Sequence, residues 1–140
     1  MKKSIPVISY LVYLALGAYL AISSKIDIDK LADKTSDSFV EGLANGFGGI
    51  GLAIVMILGL VYGAAALVCL IIKLIHNASG WLLFGLLSVI LDLALIGIHG
   101  YLVLYAVNGG SEISAIATVA VLCVISVVSF IANCSSLSKR

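Results

Sequence analysis

Length, composition and charge exclude several kinds of protein. The chain has 140 residues, of which 62% are hydrophobic and 11% are charged, whereas about 25% of the residues in an ordinary soluble domain are charged. A soluble fold of this size still exposes roughly 30% of its unfolded surface, so it could not hide this much apolar surface from water. The net charge of +1 gives no basic patch for nucleic acid. Composition therefore indicates an integral membrane protein whose surroundings are a lipid bilayer.

Four apolar stretches are long enough to cross that bilayer as helices. About 20 apolar residues suffice, because a helix rises ~1.5 Å per residue and the hydrocarbon core is ~30 Å thick. The predicted spans are 5–23, 47–75, 81–107 and 113–133, with an outer polar loop at 24–46. Short connections between neighbouring helices predict one all-α domain over the whole chain, a four-helix transmembrane bundle with up-down-up-down topology.

The first span, 5–23, also resembles a secretory signal. Lys2 and Lys3 precede its apolar run, which ends at Ala21-Ile22-Ser23, a sequence similar to a cleavage site. The run is longer than the ~7–15 residues of a signal core, and its three tyrosines are typical of a retained anchor. We expect a retained helix; cleavage, the alternative, would leave three spans.

The outer loop at 24–46 is the longest polar segment. Helical spacing of its apolar residues predicts a short amphipathic helix on the membrane surface; these residues are Ile28, Leu31, Ala32, Phe39 and Leu43. Ser38-Phe39-Val40-Glu41 has the S-x-x-E form of a capping box, in which both side chains satisfy free backbone amides. A helix is therefore predicted to begin near Ser38.

Basic residues are divided unequally between the two sides of the predicted bundle. One side has Lys2, Lys3, Lys73, Lys139 and Arg140, and the other has Lys25, Lys30 and Lys34. Because cytoplasmic loops carry the excess of lysine and arginine, both termini are predicted to be cytoplasmic. The compact loops and lysine-led N-terminus suggest a bacterial inner membrane. Lys73 and His76, at the cytoplasmic end of the second span, are interpreted as solvated anchors.

Glycines cluster at the start of the second span. Gly46-Phe47-Gly48-Gly49-Ile50-Gly51 matches the letters of the dinucleotide fingerprint, but no strand precedes it and no acidic residue follows about 20 positions on, so no nucleotide cofactor is expected. One helical face instead collects small residues for close helix packing: Gly48, Gly51, Gly59, Gly63 and Ala66. The spacing leaves open whether the partner helix is internal or belongs to another protomer.

Asp92 is the one acidic residue inside an apolar span, about 16 Å from the start of the third predicted helix. A central aspartate costs ~2.5–3.5 kcal/mol on the insertion scale, which the span's many Leu, Ile, Val and Phe residues offset at ~0.3–0.6 kcal/mol each. Ser88, Asp92 and His99 share one helical face, so a polar stripe inside the bundle is predicted. A hairpin between the second and third helices makes Tyr62 the preferred partner of Asp92. Other candidates for this interior are Tyr13, Thr118, Ser126 and Ser129.

Two interpretations of Asp92 stay open. In the structural one, its carboxyl forms hydrogen bonds across helices and fixes their register. In the functional one, Asp92 and His99, with Ser88 and Tyr62, form a proton or cation site, because ionisable residues within a membrane are functional candidates by default.

Enzymatic activity is not expected. The sequence has no H-x-x-x-H, no CxxC and no carboxylate pair within a span, so no catalytic group, metal site or cofactor is predicted. We therefore expect a non-enzymatic membrane subunit that acts through helix or loop contacts with a membrane partner or with itself. The alternative is an oligomeric proton- or cation-coupled transporter or channel that uses Asp92 and His99.

Overall fold

The computed structural model describes residues 3–32 and 39–138, and these residues form four helices. In chain order the helices are α1 (Ser4–Ala32), α2 (Phe39–Ser79), α3 (Leu82–Asn108) and α4 (Ile113–Ser138). Each is long and apolar enough to cross a membrane. The prediction of an all-helical chain with four apolar helices is thereby confirmed.

The first two helices extend beyond the apolar stretches that predicted them. α1 continues through residues 24–32, and α2 begins at Phe39, directly after the serine of the capping box. Charged residues ended the apolar run but do not end a helix: Lys25 and Asp29, one turn apart, form an ion pair of 3.4 Å. The described part of the predicted outer loop therefore belongs to α1 and α2, and residues 33–38 lie outside the described residues.

Glycines with positive φ end α2 and α3. Gly80 has φ of 71° and donates its backbone N–H to the His76 carbonyl oxygen at 2.8 Å. Gly110 has φ of 66° and follows the capping residue Gly109. A side chain with a Cβ atom would be strained in this conformation, so glycine permits the sharp turn. The connections that result are two residues between α2 and α3 and four between α3 and α4.

Polarity is inverted relative to a soluble protein. Large aliphatic side chains are exposed on all four helices, with examples such as Ile8, Leu58, Ile90 and Ile131 at 58–61% exposure. The buried side chains include polar ones alongside apolar ones such as Tyr13, Ala66 and Leu95. The buried polar side chains are Ser9, Ser24, Lys73, His76, Ser88, Asp92, His99, Ser126, Ser129 and Asn133. An apolar exterior around a polar interior suits a chain whose solvent is hydrocarbon.

The chain divides into two compact units. The first contains residues 1–10 and 68–140, and the second contains residues 11–67. We call them the polar unit and the glycine unit, after the residues that pack within each.

In the polar unit, α3 and α4 pack against each other. Asp92 meets Ser129 and Asn133, whereas His99, further along α3, meets Ser126, which comes earlier in α4. The order of contacts shows that the two helices run antiparallel. Buried residues of α3 recur at intervals of three and four, the spacing of left-handed helix packing: Gly85, Ser88, Asp92, Leu95 and His99.

In the glycine unit, α1 and α2 approach each other through glycines. A Cβ atom added to Gly17 would lie 2.7 Å from the Gly63 Cα atom and 2.8 Å from the Gly59 carbonyl oxygen. A Cβ atom added to Gly59 would lie 2.9 Å from the Ala21 backbone nitrogen. These distances leave no room for a methyl group. The partner of the Gly59 and Gly63 face is thus internal, namely α1.

Candidate functional site

Asp92 lies at the centre of a hydrogen-bonded cluster in the polar unit. Its Oδ1 atom accepts a bond from the Tyr10 hydroxyl at 2.6 Å. Its Oδ2 atom accepts bonds from the Ser129 hydroxyl at 3.2 Å and from the Asn133 Nδ2 atom at 2.5 Å. Asn133 Nδ2 also donates to the Tyr10 hydroxyl oxygen at 3.3 Å. We call these four residues the Asp92 cluster; all are buried.

Three helices supply the Asp92 cluster. Tyr10 comes from the first turns of α1, Asp92 from the middle of α3, and Ser129 and Asn133 from α4. Ser129 and Asn133 are four residues apart, so they project from the same face of α4. One carboxyl group therefore links three helices, and hydrogen bonds of this kind replace the hydrophobic drive that is missing between helices in lipid.

A lysine and a cysteine from α2 complete the surroundings of Asp92. Lys73 is only 1% exposed, and its charge interacts electrostatically with that of Asp92. Cys69, one turn earlier and also buried, interacts electrostatically with Asp92 as well. The interpretation of Lys73 as a solvated anchor is therefore wrong. A buried lysine near a buried carboxyl offsets a charge that lipid cannot solvate.

His76 is buried too, so its interpretation as a solvated anchor is also wrong. Its Nδ1 atom lies 2.9 Å from the Trp81 carbonyl oxygen. A carbonyl oxygen only accepts, so Nδ1 carries the proton of this bond. A Cβ atom on Gly85 would lie 2.7 Å from the imidazole Cε1 atom. The imidazole thus lies against the first turn of α3, where glycine at position 85 leaves room for it.

His99 forms a second polar contact between α3 and α4. Its Nδ1 atom lies 2.6 Å from the Ser126 hydroxyl oxygen, and that hydroxyl donates to the Leu122 carbonyl oxygen at 2.9 Å. A hydroxyl has one proton, and that of Ser126 is donated to the Leu122 carbonyl oxygen. The imidazole N–H is therefore the donor in the contact with Ser126. The neutral imidazole then carries its hydrogen on Nδ1 and a lone pair on Nε2.

The remaining residues of the predicted site, Ser88 and Tyr62, form other contacts. Ser88 is buried on the same face of α3, but its hydroxyl donates to the Phe84 carbonyl oxygen of its own helix at 3.0 Å. Tyr62 belongs to the glycine unit, where its ring meets that of Tyr13 edge to face at 6.1 Å. The tyrosine that donates to Asp92 is Tyr10.

Among the other candidates for the polar interior, Ser126 and Ser129 are buried there. Thr118 is exposed and bonds only within its own helix, to the Ser114 carbonyl oxygen at 2.8 Å. Of the predicted packing residues, Ala66 is buried. A Cβ atom added to Gly48 would lie at an ordinary 3.7 Å from the Leu31 side chain, and one added to Gly51 would meet no atom of the described residues within 4 Å.

Comparison of the chain with protein-family models, with curated proteins and with solved structures finds no match.

Sequence reasoning missed Tyr10, Lys73 and Asn133. The signal for Asn133 was nevertheless present. Ser126, Ser129 and Asn133 follow one another at intervals of three and four, as Asp92 and His99 do with their buried neighbours on α3. Two matching polar stripes on helices joined by a short turn predict contact between them.

The site offers hydrogen-bonding and proton-exchange chemistry. Among the residues that the structure describes, no group of three His, Cys, Asp or Glu side chains could hold a metal ion. Asp92 can take up or release a proton, and so can the imidazole of His99. Both groups lie on one face of α3, with Leu95 buried between them.

Proposed function

We propose that this chain is a non-enzymatic multi-pass membrane subunit that acts by lateral contact with another transmembrane helix. The observation that supports this is a groove in the glycine unit, with a volume of about 200 Å³. Apolar residues alone line it: Leu14, Gly17, Ala18, Gly59, Leu60, Gly63, Ala64 and Leu67.

Small residues make this groove suitable for a helix. Close packing of Gly17 on Gly59 and Gly63 brings α1 and α2 together, and Ala18 and Ala64 are exposed beside the contact. Larger side chains such as Leu60, 57% exposed, form its ridges. In lipid, small residues between ridges allow another helix to approach closely, and the gain is van der Waals packing.

A variant that fills the groove and leaves the packing of Gly17 on Gly59 and Gly63 unchanged tests this proposal. Ala64→Leu adds bulk at an exposed groove position, and Ala65→Leu adds the same bulk at an exposed neighbour outside the groove. In native membranes treated with a cross-linker, we expect Ala64→Leu to lose the cross-linked species and Ala65→Leu to keep it. Wild-type protein that shows only monomer would contradict the proposal, as would equal cross-linking of the two variants. The mass of the species distinguishes a second copy from a different partner.

The same proposal includes a placement in the membrane. The four helices cross a cell membrane of bacterial type in up-down-up-down order, with both termini in the cytoplasm. Lysine and arginine counts support this orientation, although burial of Lys73 reduces the cytoplasmic excess to four residues against three. The polar ends of α1 and α2, residues 24–32 and 39–46, then lie at the outer membrane surface.

A second candidate function is proton- or cation-coupled transport through Asp92 and His99. Burial of Asp92, Lys73 and His99 among apolar helices favours it, because ionisable residues within a membrane mark ion pathways. At ten residues from the start of α3, Asp92 lies ~15 Å along the helix, near the midplane of a bilayer.

Reconstituted vesicles test this second candidate. A pH gradient across the vesicle membrane is imposed, and its decay is followed with an internal pH-sensitive dye. We expect faster decay than in empty vesicles, and loss of the excess rate in Asp92→Asn. The matched control is Ser114→Ala, an exposed position in the first turn of α4, which should keep the wild-type rate. A wild-type rate equal to that of empty vesicles would contradict the transporter.

A further inference from the structure

The carboxamide of Asn133 is the least satisfied part of the Asp92 cluster. Its Nδ2 atom donates to both Asp92 and Tyr10, yet its Oδ1 atom has no hydrogen-bond partner among the described residues. Asn133 is only 1% exposed. A buried acceptor without a donor is costly, so a native structure that keeps one calls for a physical reason.

The hydrogen bonds around Asp92 indicate a role for the Oδ1 atom of Asn133. All three bonds are donated to the carboxyl group, by Tyr10, Ser129 and Asn133, which suits an ionised carboxylate that can only accept. A protonated carboxyl is also a donor and needs an acceptor of its own. In the cluster, the buried side-chain oxygen with no hydrogen-bond partner among the described residues is Asn133 Oδ1.

Asn133 can present this acceptor without moving its backbone. Its two terminal atoms share one planar group, so a half-turn about the Cβ–Cγ bond exchanges the places of Nδ2 and Oδ1. The 2.5 Å between Asn133 and Asp92 Oδ2 is shorter than the 2.7–3.2 Å usual for N–H···O bonds and falls within the range of O–H···O bonds. The separation therefore already suits a bond between a protonated carboxyl and an amide oxygen.

We propose that the Asp92 cluster is a proton-binding site. In it, the carboxamide of Asn133 rotates by a half-turn about the Cβ–Cγ bond each time a proton is bound or released. On loading, a proton from water forms an O–H bond at Asp92 Oδ2, the carboxamide turns, and this O–H donates to Asn133 Oδ1. On release, the O–H bond breaks, the proton returns to water, and Nδ2 donates to the carboxylate again. No other covalent bond is made or broken; the hydrogen bond from Asn133 Nδ2 to the Tyr10 hydroxyl oxygen is lost on loading and restored on release. This inference rests on the second candidate function, proton exchange at Asp92.

Other groups that face Asp92 are compatible with this assignment. From α1 it meets Tyr10, and from α2 it meets Cys69 and Lys73. From α4 it meets Ser129 and Asn133, neither of which titrates. The hydroxyls of Tyr10 and Ser129 can also donate and accept, but each already donates to Asp92. Asn133 adds an acceptor atom that has no hydrogen-bond partner among the described residues.

Infrared difference spectroscopy at stepped pH tests the proposal on the full-length protein in lipid vesicles. Two bands are followed: the C=O stretch of the protonated Asp92 carboxyl and the carboxamide C=O stretch of ¹³C-labelled asparagine. We expect the asparagine band to shift to lower frequency with the same pH midpoint at which the Asp92 band grows, since its carbonyl gains a hydrogen bond. The shift should vanish in Asp92→Asn and in Asn133→Leu, and persist in Ser114→Ala, at an exposed position in the first turn of α4.

The outcomes separate this inference from the function on which it rests. An Asp92 band that grows with no shift of the asparagine band overturns the role of Asn133 and leaves proton exchange intact. Absence of any Asp92 band across the pH range in which the protein stays folded overturns both. Because the wild type and Asp92→Asn alone give these answers, the test does not depend on the folding of Asn133→Leu.

Discussion

The two units of this chain hold their helices together by different means. In the polar unit, one carboxyl group accepts hydrogen bonds from α1 and α4. In the glycine unit, α1 and α2 touch at backbone distance, through Gly17, Gly59 and Gly63. Helices in lipid lack a hydrophobic drive to associate, so hydrogen bonding and close van der Waals packing are the available alternatives. This chain uses one of them in each unit.

The difference has a consequence for function. Close packing of glycines needs only shape, and the groove beside it offers the same kind of shape to an outside helix. Hydrogen bonding to Asp92 depends on protonation, because a carboxyl changes from acceptor to donor when it takes up a proton. We therefore expect the glycine unit to mediate contact and the polar unit to respond to protons.

The largest expected effect comes from removing the carboxyl. Asp92→Leu deprives three buried donors of their acceptor and leaves Lys73 without the nearby opposite charge. Leaving a buried donor unsatisfied costs about 1–3 kcal/mol, and here three donors lose their acceptor together. Reversible unfolding in mixed micelles should show this loss, and Asp92→Asn, which keeps an acceptor oxygen, should lose less. Equal stability of Asp92→Leu and the wild type would show that the polar unit is not held by this cluster.

The next largest loss of stability is expected from overpacking the glycine unit. Gly17→Ala places a methyl group 2.7 Å from the Gly63 backbone, and such overpacking costs about 1–3 kcal/mol. Gly63→Ala is the matched control, because the nearest atom to its added Cβ is at an ordinary 3.8 Å. The same micelle unfolding experiment should separate the two variants. Equal destabilisation of the two variants would contradict the difference in space around Gly17 and Gly63.

A smaller effect is expected from one hydrogen bond of the polar unit. Tyr10→Phe removes the 2.6 Å bond to Asp92 Oδ1, and interhelical bonds in membranes contribute about 0.6–1.7 kcal/mol. Tyr101→Phe, at a position 67% exposed, should leave the free energy of unfolding unchanged. A larger loss of unfolding free energy in Tyr101→Phe than in Tyr10→Phe would contradict the burial of Tyr10 and the exposure of Tyr101.

The smallest effect concerns the second polar contact. Ser126→Ala removes the hydroxyl that lies 2.6 Å from His99 Nδ1, and we expect a loss of about 0.6 kcal/mol, the average for such bonds. Thr118→Ala deletes a hydroxyl that bonds only within its own exposed turn. NMR of labelled histidine should also show His99 changing its tautomer balance in Ser126→Ala and not in Thr118→Ala. An unchanged His99 signal would refute the hydrogen bond.

Much of the fold was predictable, because apolar stretches of about 20 residues or more indicate long helices. The prediction 81–107 for the third helix compares with Leu82–Asn108, and both the predicted and the observed fourth helix begin at Ile113. The ends of α1 and α2 were not predictable in this way. Residues such as Lys25 and Asp29 are too polar for a span but compatible with a helix, and an apolarity criterion cannot tell these two properties apart.

The site was less predictable than the fold. Asp92 and His99 were recognisable because a charged or titratable residue stands out in an apolar span. Of their partners, Ser126 and Ser129 were predicted candidates. Tyr10 and Lys73 were not, since they lie near the ends of spans, where tyrosine and lysine commonly act as interfacial anchors. The rotation of each helix about its axis determines whether such a side chain faces the interface or the interior of the unit. That rotation follows from tertiary contacts.

The most direct test of the account is whether hydrocarbon surrounds the helix that carries Asp92. In a Trp81→Phe background, which removes the single native tryptophan, Ile90→Trp and Leu93→Trp place a fluorophore at positions 60% and 53% exposed on either side of Asp92. We predict strong quenching by lipids brominated deep in their acyl tails and none by aqueous iodide. Quenching by iodide, with no effect of the brominated lipids, would contradict a polar interior within an apolar, lipid-facing exterior.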